Sequence, residues 1–157
     1  MSLALLLAAC AHTPPLPTAE EALASLPRDV IGDSSRPVNG LGRVTLVTFI
    51  ATWCFPCLVD LPVLQKLQKD HPRELVVLLV GMDLEGRKTL EPFVSANAIE
   101  LPVIVSDERV RAGETPFGHI LELPTRFVFR RDGSLAFAYS GVAEPKDLID
   151  AIERELR

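Results

Sequence analysis

Cys54 and Cys57 are separated by Phe55 and Pro56 in the run Trp53-Cys54-Phe55-Pro56-Cys57. Cysteines at that spacing can close a small disulfide ring or open to a dithiol, and the thiolate form of such a pair attacks other disulfides. The competing readings are a structural disulfide and half of a zinc site. Zinc wants two further cysteine or histidine ligands at suitable spacing, and Cys10, His12, His71 and His119 show no such pairing. Redox chemistry is the expectation, with no metal and no cofactor.

Such a pair needs elements that hold it. Val44–Ile50 is an apolar run dense in β-branched residues, and Leu58, Leu61, Leu64 and Leu67 recur at every third position. The first pattern predicts a buried strand and the second an amphipathic helix. The cysteines then lie where strand gives way to helix, with Cys54 at or just before the first turn. Backbone N–H groups there have no intrahelical partners, and the dipole end is positive. A thiolate is stabilised in that place: free cysteine titrates near ~8.5, whereas in C-x-x-C motifs at helix starts the value falls to roughly 3.5–7.5. Cys54 is accordingly read as the attacking sulfur, and Cys57, one turn further in, as the resolving one.

With 157 residues, 48% hydrophobic and 24% charged, the chain suffices for one globular domain. A net charge of -5 without any Lys/Arg cluster longer than two argues against nucleic acid. No stretch approaches the ~18–20 apolar residues of a spanning helix. A monomer is expected.

Leu7-Ala8-Ala9-Cys10 resembles a bacterial lipobox, an apolar residue and two small ones ahead of the cysteine to be acylated. Residues 1–9 are then a signal segment, 10–27 a lipid-anchored tether kept extended by Pro14, Pro15 and Pro17, and 28–157 the domain. The apolar stretch is short and no Lys or Arg precedes Cys10, which a start placed too far downstream would explain. On this reading the chain sits at the periplasmic face of a membrane in the bacterial envelope, tethered by lipid at Cys10 rather than spanning.

Thr18 and Glu21 make a capping box for a short helix that serves as spacing. Residues 28–43, rich in turn formers, have room for short edge strands only. Pro62 should kink the cysteine helix, and His71-Pro72 should end it. Residues 75–82 read as a second buried strand, 89–97 as a helix capped by Thr89, 101–105 as a third strand and 107–112 as a helical turn. Residues 126–130 and 135–139 alternate around Asp132-Gly133, a hairpin signal, and 144–156 form a final amphipathic helix with Leu148, Ile149, Ile152 and Leu156 inward. This order specifies an α/β three-layer sandwich with a central mixed sheet and an antiparallel C-terminal hairpin.

Trp53-Cys54-Phe55-Pro56-Cys57, the later Leu123-Pro124-Thr125 and the hairpin and helix that follow together resemble a thioredoxin-fold protein. Within that superfamily the chain is similar to the TlpA/ResA type of membrane-anchored, extracytoplasmic thiol-disulfide oxidoreductases, over residues 28–157. The resemblance implies a cis Pro124 facing the Cys54 sulfur, with the Leu123 backbone pairing to an extended substrate segment. It implies that Trp53 shelters the disulfide, and Phe55, apolar between the cysteines, would contact substrate. An inserted strand and helix, here residues 75–97, carry an acid near the cysteines in this type; Glu85 matches it and Asp83 is the rival. Such a carboxylate, partly buried, exchanges a proton with the thiol. Thr48 occupies the place where thioredoxins keep a buried aspartate, and it cannot act as a base. The segment Phe117-Gly118-His119-Ile120 brings one residue more than the usual spacing, and His119 is read as incidental.

The function implied is a lipid-anchored reductase of protein disulfides, supplied with electrons by a membrane donor of the thiol-transporting type. The haem-binding cysteines of apocytochrome c are one candidate substrate. Two other readings compete. A peroxiredoxin-like peroxidase would show Pro-x-x-x-Thr-x-x-Cys, which Ile50-Ala51-Thr52-Trp53 before Cys54 lacks. A non-catalytic thioredoxin-like module would tolerate Cys54→Ser.

Overall fold

The computed structural model describes residues 16–32, 40 and 42–157, so the lipobox and Cys10 lie outside the described residues. The elements in chain order are α1 (Ala19–Ala24), β1 (Val30–Ile31), β2 (Val44–Ile50), α2 (Phe55–Asp70), β3 (Leu75–Gly81) and α3 (Arg87–Ala96), followed by β4 (Val103–Val105), α4 (Glu108–Arg111), β5 (Thr125–Phe129), β6 (Leu135–Ser140) and α5 (Pro145–Leu156). They build one mixed sheet in the order β1-β4-β3-β2-β5-β6.

The centre of that sheet is where the sequence is most apolar. Every residue of β2 and β3 is buried, and the two strands pair in parallel with Thr48 opposite Leu79. Parallel neighbours need a crossover, and α2 supplies it. On the other side of β2 the partner β5 runs antiparallel, Thr48 opposite Arg126. The β5–β6 hairpin turns at Asp132-Gly133, where Gly133 takes a φ of 85° and the Asp132 carboxylate accepts from Ser134 N at 2.9 Å. That is turn chemistry an aspartate and a glycine provide readily.

Each face of the sheet has its own cover. Residues from α2, α3 and α5 share one apolar cluster with both cysteines, while α1, α4 and Phe117 close the other. On that second face Phe49, Phe117 and Phe127 meet edge to face, with ring centroids 5.0–5.9 Å apart. Phe117 thereby seats the long connection between α4 and β5 under the sheet.

Some local expectations shift. The capping box at Thr18 and Glu21 is formed, but Ala19, Ala22, Leu23 and Leu26 are buried against the sheet, so packing begins ahead of residue 28. Helix α3 starts at Arg87, not Thr89: Gly86 is its cap, and the Thr89 hydroxyl sits in the first turn donating to Gly86 O at 3.1 Å. The Arg87 guanidinium fixes that start by pairing with Asp29 and donating to Val30 O. Strand β4 begins only at Val103, after Pro102, which has no N–H to give a ladder. Helix α2 continues through Pro62 to Asp70.

Candidate redox site

Cys54 is the cap residue of α2, with extended backbone (φ -84°, ψ 94°). Its amide donates to Ala51 O at 3.0 Å, closing a turn directly off β2, and its carbonyl accepts from Leu58 N at 3.3 Å as the helix ladder begins. Pro56 lies in the first turn, where a missing N–H costs nothing. The Cys54 sulfur accepts from Cys57 N at 3.2 Å, the position a side-chain cap occupies in other helices. No acidic side chain stands in that first turn to oppose the positive helix end.

The two sulfurs are bonded to each other. Both cysteines are buried, and Cys57 is the deeper. Their sequence neighbours Trp53 and Phe55 are not: they are 74% and 73% exposed. Trp53 lines a shallow pocket together with Met82, Ile120, Leu121 and Leu123. Leu123 also packs on the cluster that contains both sulfurs. The bond from Leu123 to Pro124 is cis. Two hydrogen bonds hold this loop: Gly141 N donates to Pro124 O at 2.9 Å, and the Thr125 hydroxyl donates to Glu122 O at 2.6 Å.

The two acids of the 82–86 connection differ sharply. Asp83 is buried and accepts from Thr52 N at 3.0 Å and from the Thr52 hydroxyl, so it grips the residue just before Trp53-Cys54. Glu85 is exposed. Thr48 is fully buried, and its hydroxyl has no hydrogen-bond partner among the described residues. His119 is exposed and lies against Gly113.

Two charged residues that the sequence reading passed over lie beside the site. Asp60, one turn after Cys57 on α2, is buried, and Arg126, in the second position of β5, is 0% exposed. They form an ion pair in which Arg126 Nη2 donates to the Asp60 carboxylate. Arg126 Nη1 donates to Gly141 O at 3.0 Å, and the guanidinium lies 4.9 Å from the centre of the Tyr139 ring. Burial pulls the Arg126 guanidinium down from its ordinary value and pushes the Tyr139 hydroxyl up. The Asp60 carboxylate beside it favours the charged guanidinium against that burial. A signal existed: Asp60 falls at the helical interval between Cys57 and Leu64, and Arg126 shares the strand alternation of Val128, so both are charges on apolar faces.

No protein-family profile matches the chain. Sporulation thiol-disulfide oxidoreductase A of Bacillus subtilis is 29% identical over 98 residues, spanning 60% of this chain and 57% of that relative. Thiol-disulfide oxidoreductase ResA of Geobacillus thermodenitrificans is 23% identical over 128 residues, spanning 80% of this chain and 70% of the relative. In fold the chain is similar to the crystal structure of StoA from Bacillus subtilis, with a TM-score of 0.58 and 24% identity over 70% of this chain and 82% of that one. A bonded cysteine pair caps the helix that follows the central strand, the chain has a thioredoxin-like fold, and in sequence it is similar to thiol-disulfide oxidoreductases of the ResA and sporulation type.

Proposed function

We propose that the chain is a membrane-anchored, extracytoplasmic reductase of protein disulfides, with Cys54 as nucleophile and Cys57 as resolving sulfur. The observation that carries the chemistry is the Cys54 sulfur at the cap of α2, accepting from Cys57 N. In the dithiol form the same N–H and the same helix end favour a thiolate there. That thiolate attacks one sulfur of a substrate disulfide, forming a mixed disulfide and releasing a substrate thiolate. Cys57 gives up its proton and attacks the Cys54 sulfur, closing the ring and releasing the second substrate thiolate. Two electrons pass to the substrate, and a dithiol donor in the membrane restores the pair.

Trp53 and Phe55 supply apolar contact to the substrate, and the Leu123 backbone beside Pro124 supplies its main-chain pairing. The proton of Cys57 is placed with an acid of the 83–85 connection. Asp83, by its hold on Thr52, is better supported there than Glu85. Lipidation at Cys10 and a place on the envelope rest on the lipobox resemblance, and cytochrome c maturation on the family likeness.

Insulin reduction with a dithiol donor, combined with the reduction potential of the pair, tests the assignment. A reductase turns over insulin, loses turnover on Cys54→Ser, and has a potential nearer the about -270 mV of thioredoxin than the about -120 mV of a strong oxidant. A value at the oxidising end would reverse the direction of electron flow.

A further inference from the structure

Arg126 is the largest fully buried side chain among the described residues, and its charge is answered by Asp60. Burying such a pair is costly, and apolar residues of similar volume often do as well for stability. The pair's connections suggest what else it serves. Asp60 belongs to α2, the helix of the cysteines. Arg126 lies two residues after Pro124 and donates to Gly141 O, while Gly141 N donates back to Pro124 O. A continuous buried path thus runs from the Pro124 carbonyl through Gly141 and Arg126 to the cysteine helix. The guanidinium carbon lies over the Tyr139 ring on β6, 4.9 Å from its centre, which adds a cation–π contact to the pair.

We propose that Arg126 is a positioning residue for disulfide exchange: through Asp60 and Gly141 it sets the distance between the substrate-pairing edge at Leu123-Pro124 and the Cys54 sulfur. The proposal rests on the oxidoreductase reading. Arginine suits the task because its planar fork reaches a carboxylate and a carbonyl together, which the point charge of lysine does not. Exchange with a protein needs both the edge and the sulfur in register. A small electrophile needs only the sulfur. Misplacing one against the other therefore separates two rates that a general loss of fold or a change of thiolate fraction would move together.

The test compares the rate of insulin-disulfide reduction with the rate of Cys54 alkylation by iodoacetamide, each in the reduced full chain. The variant is Asp60→Leu combined with Arg126→Met, which removes both charges and leaves the volume filled. The expected result is a fall of about tenfold in the ratio of insulin rate to alkylation rate, mainly through KM, with the pH profile of alkylation unmoved. Arg126→Lys gives a smaller fall of the same kind and carries the test if the double variant does not fold. An unchanged ratio overturns the proposal. So does a parallel fall in both rates with a shifted pH profile, which would assign the pair to thiol ionisation. A wild-type chain unable to reduce insulin would overturn the oxidoreductase reading, and the proposal with it.

Discussion

Cys54 and Cys57 differ in what their surroundings permit. Cys54 accepts a backbone hydrogen bond as the cap of α2, next in sequence to two exposed aromatic residues, whereas Cys57 lies within the helix and is the more deeply buried of the two. If the first attacks and the second resolves, Cys57→Ser should still attack substrate but be unable to release it. A mixed disulfide with insulin should then accumulate, visible by mass under non-reducing conditions, whereas Cys54→Ser should form none. The acids can be separated in the same assay. Asp83→Asn keeps an acceptor for Thr52 but removes the charge, and is expected to slow resolution by about a hundredfold at neutral pH, the low end for loss of a proton-transfer group. Glu85→Gln, exposed on the same connection, is expected to change little; a larger loss there than at Asp83 would move the role to Glu85.

The elements that carry these residues were legible to the extent that one short stretch of chain decides them. The seven residues of β2, the i, i+3 leucines of α2 and the Asp132-Gly133 turn each declare themselves locally, and each formed where the pattern put it. What stayed hidden depends on partners far along the chain. Asp60 and Arg126 are 66 residues apart, and neither identifies the other. Nothing in the sequence around Phe117 says that its ring meets Phe49 and Phe127 beneath the sheet, yet that contact seats the connection leading to Leu123-Pro124. Phe117→Ala is therefore expected to cost about 3–5 kcal/mol, the usual range for a buried phenylalanine, measurable as a lowered urea midpoint. Insulin reduction should also fall in the still-folded fraction, because the pocket formed by Trp53, Ile120, Leu121 and Leu123 loses its support. A destabilised variant with wild-type exchange would show that the connection holds its place without this ring.

At the scale of the whole molecule the sheet joins two tasks, since β5 both pairs with the strand leading to Cys54 and carries the buried charge that reaches α2. Its outer neighbour β6 contributes Tyr139, the one tyrosine in the chain, whose hydroxyl has no hydrogen-bond partner among the described residues. Burial raises the pKa of this hydroxyl above the ordinary 10.0, with the Arg126 charge opposing that shift only in part. The sign of the consequence follows from proton counting. Below 10.0 the phenol is protonated whether the chain is folded or not, and it makes no pH-dependent difference. Above it the unfolded chain releases the proton while the folded chain keeps it, so stability falls as pH rises from there through the higher folded value. Tyr139→Phe should remove that portion of the alkaline loss while costing little at neutral pH, because the ring over the Arg126 guanidinium is kept. With a single tyrosine the measurement is direct: tyrosinate absorbance should appear only together with the loss of near-ultraviolet circular dichroism. Ionisation at the ordinary value in a chain that remains folded would show that solvent reaches the ring, and that the stack on Arg126 is open.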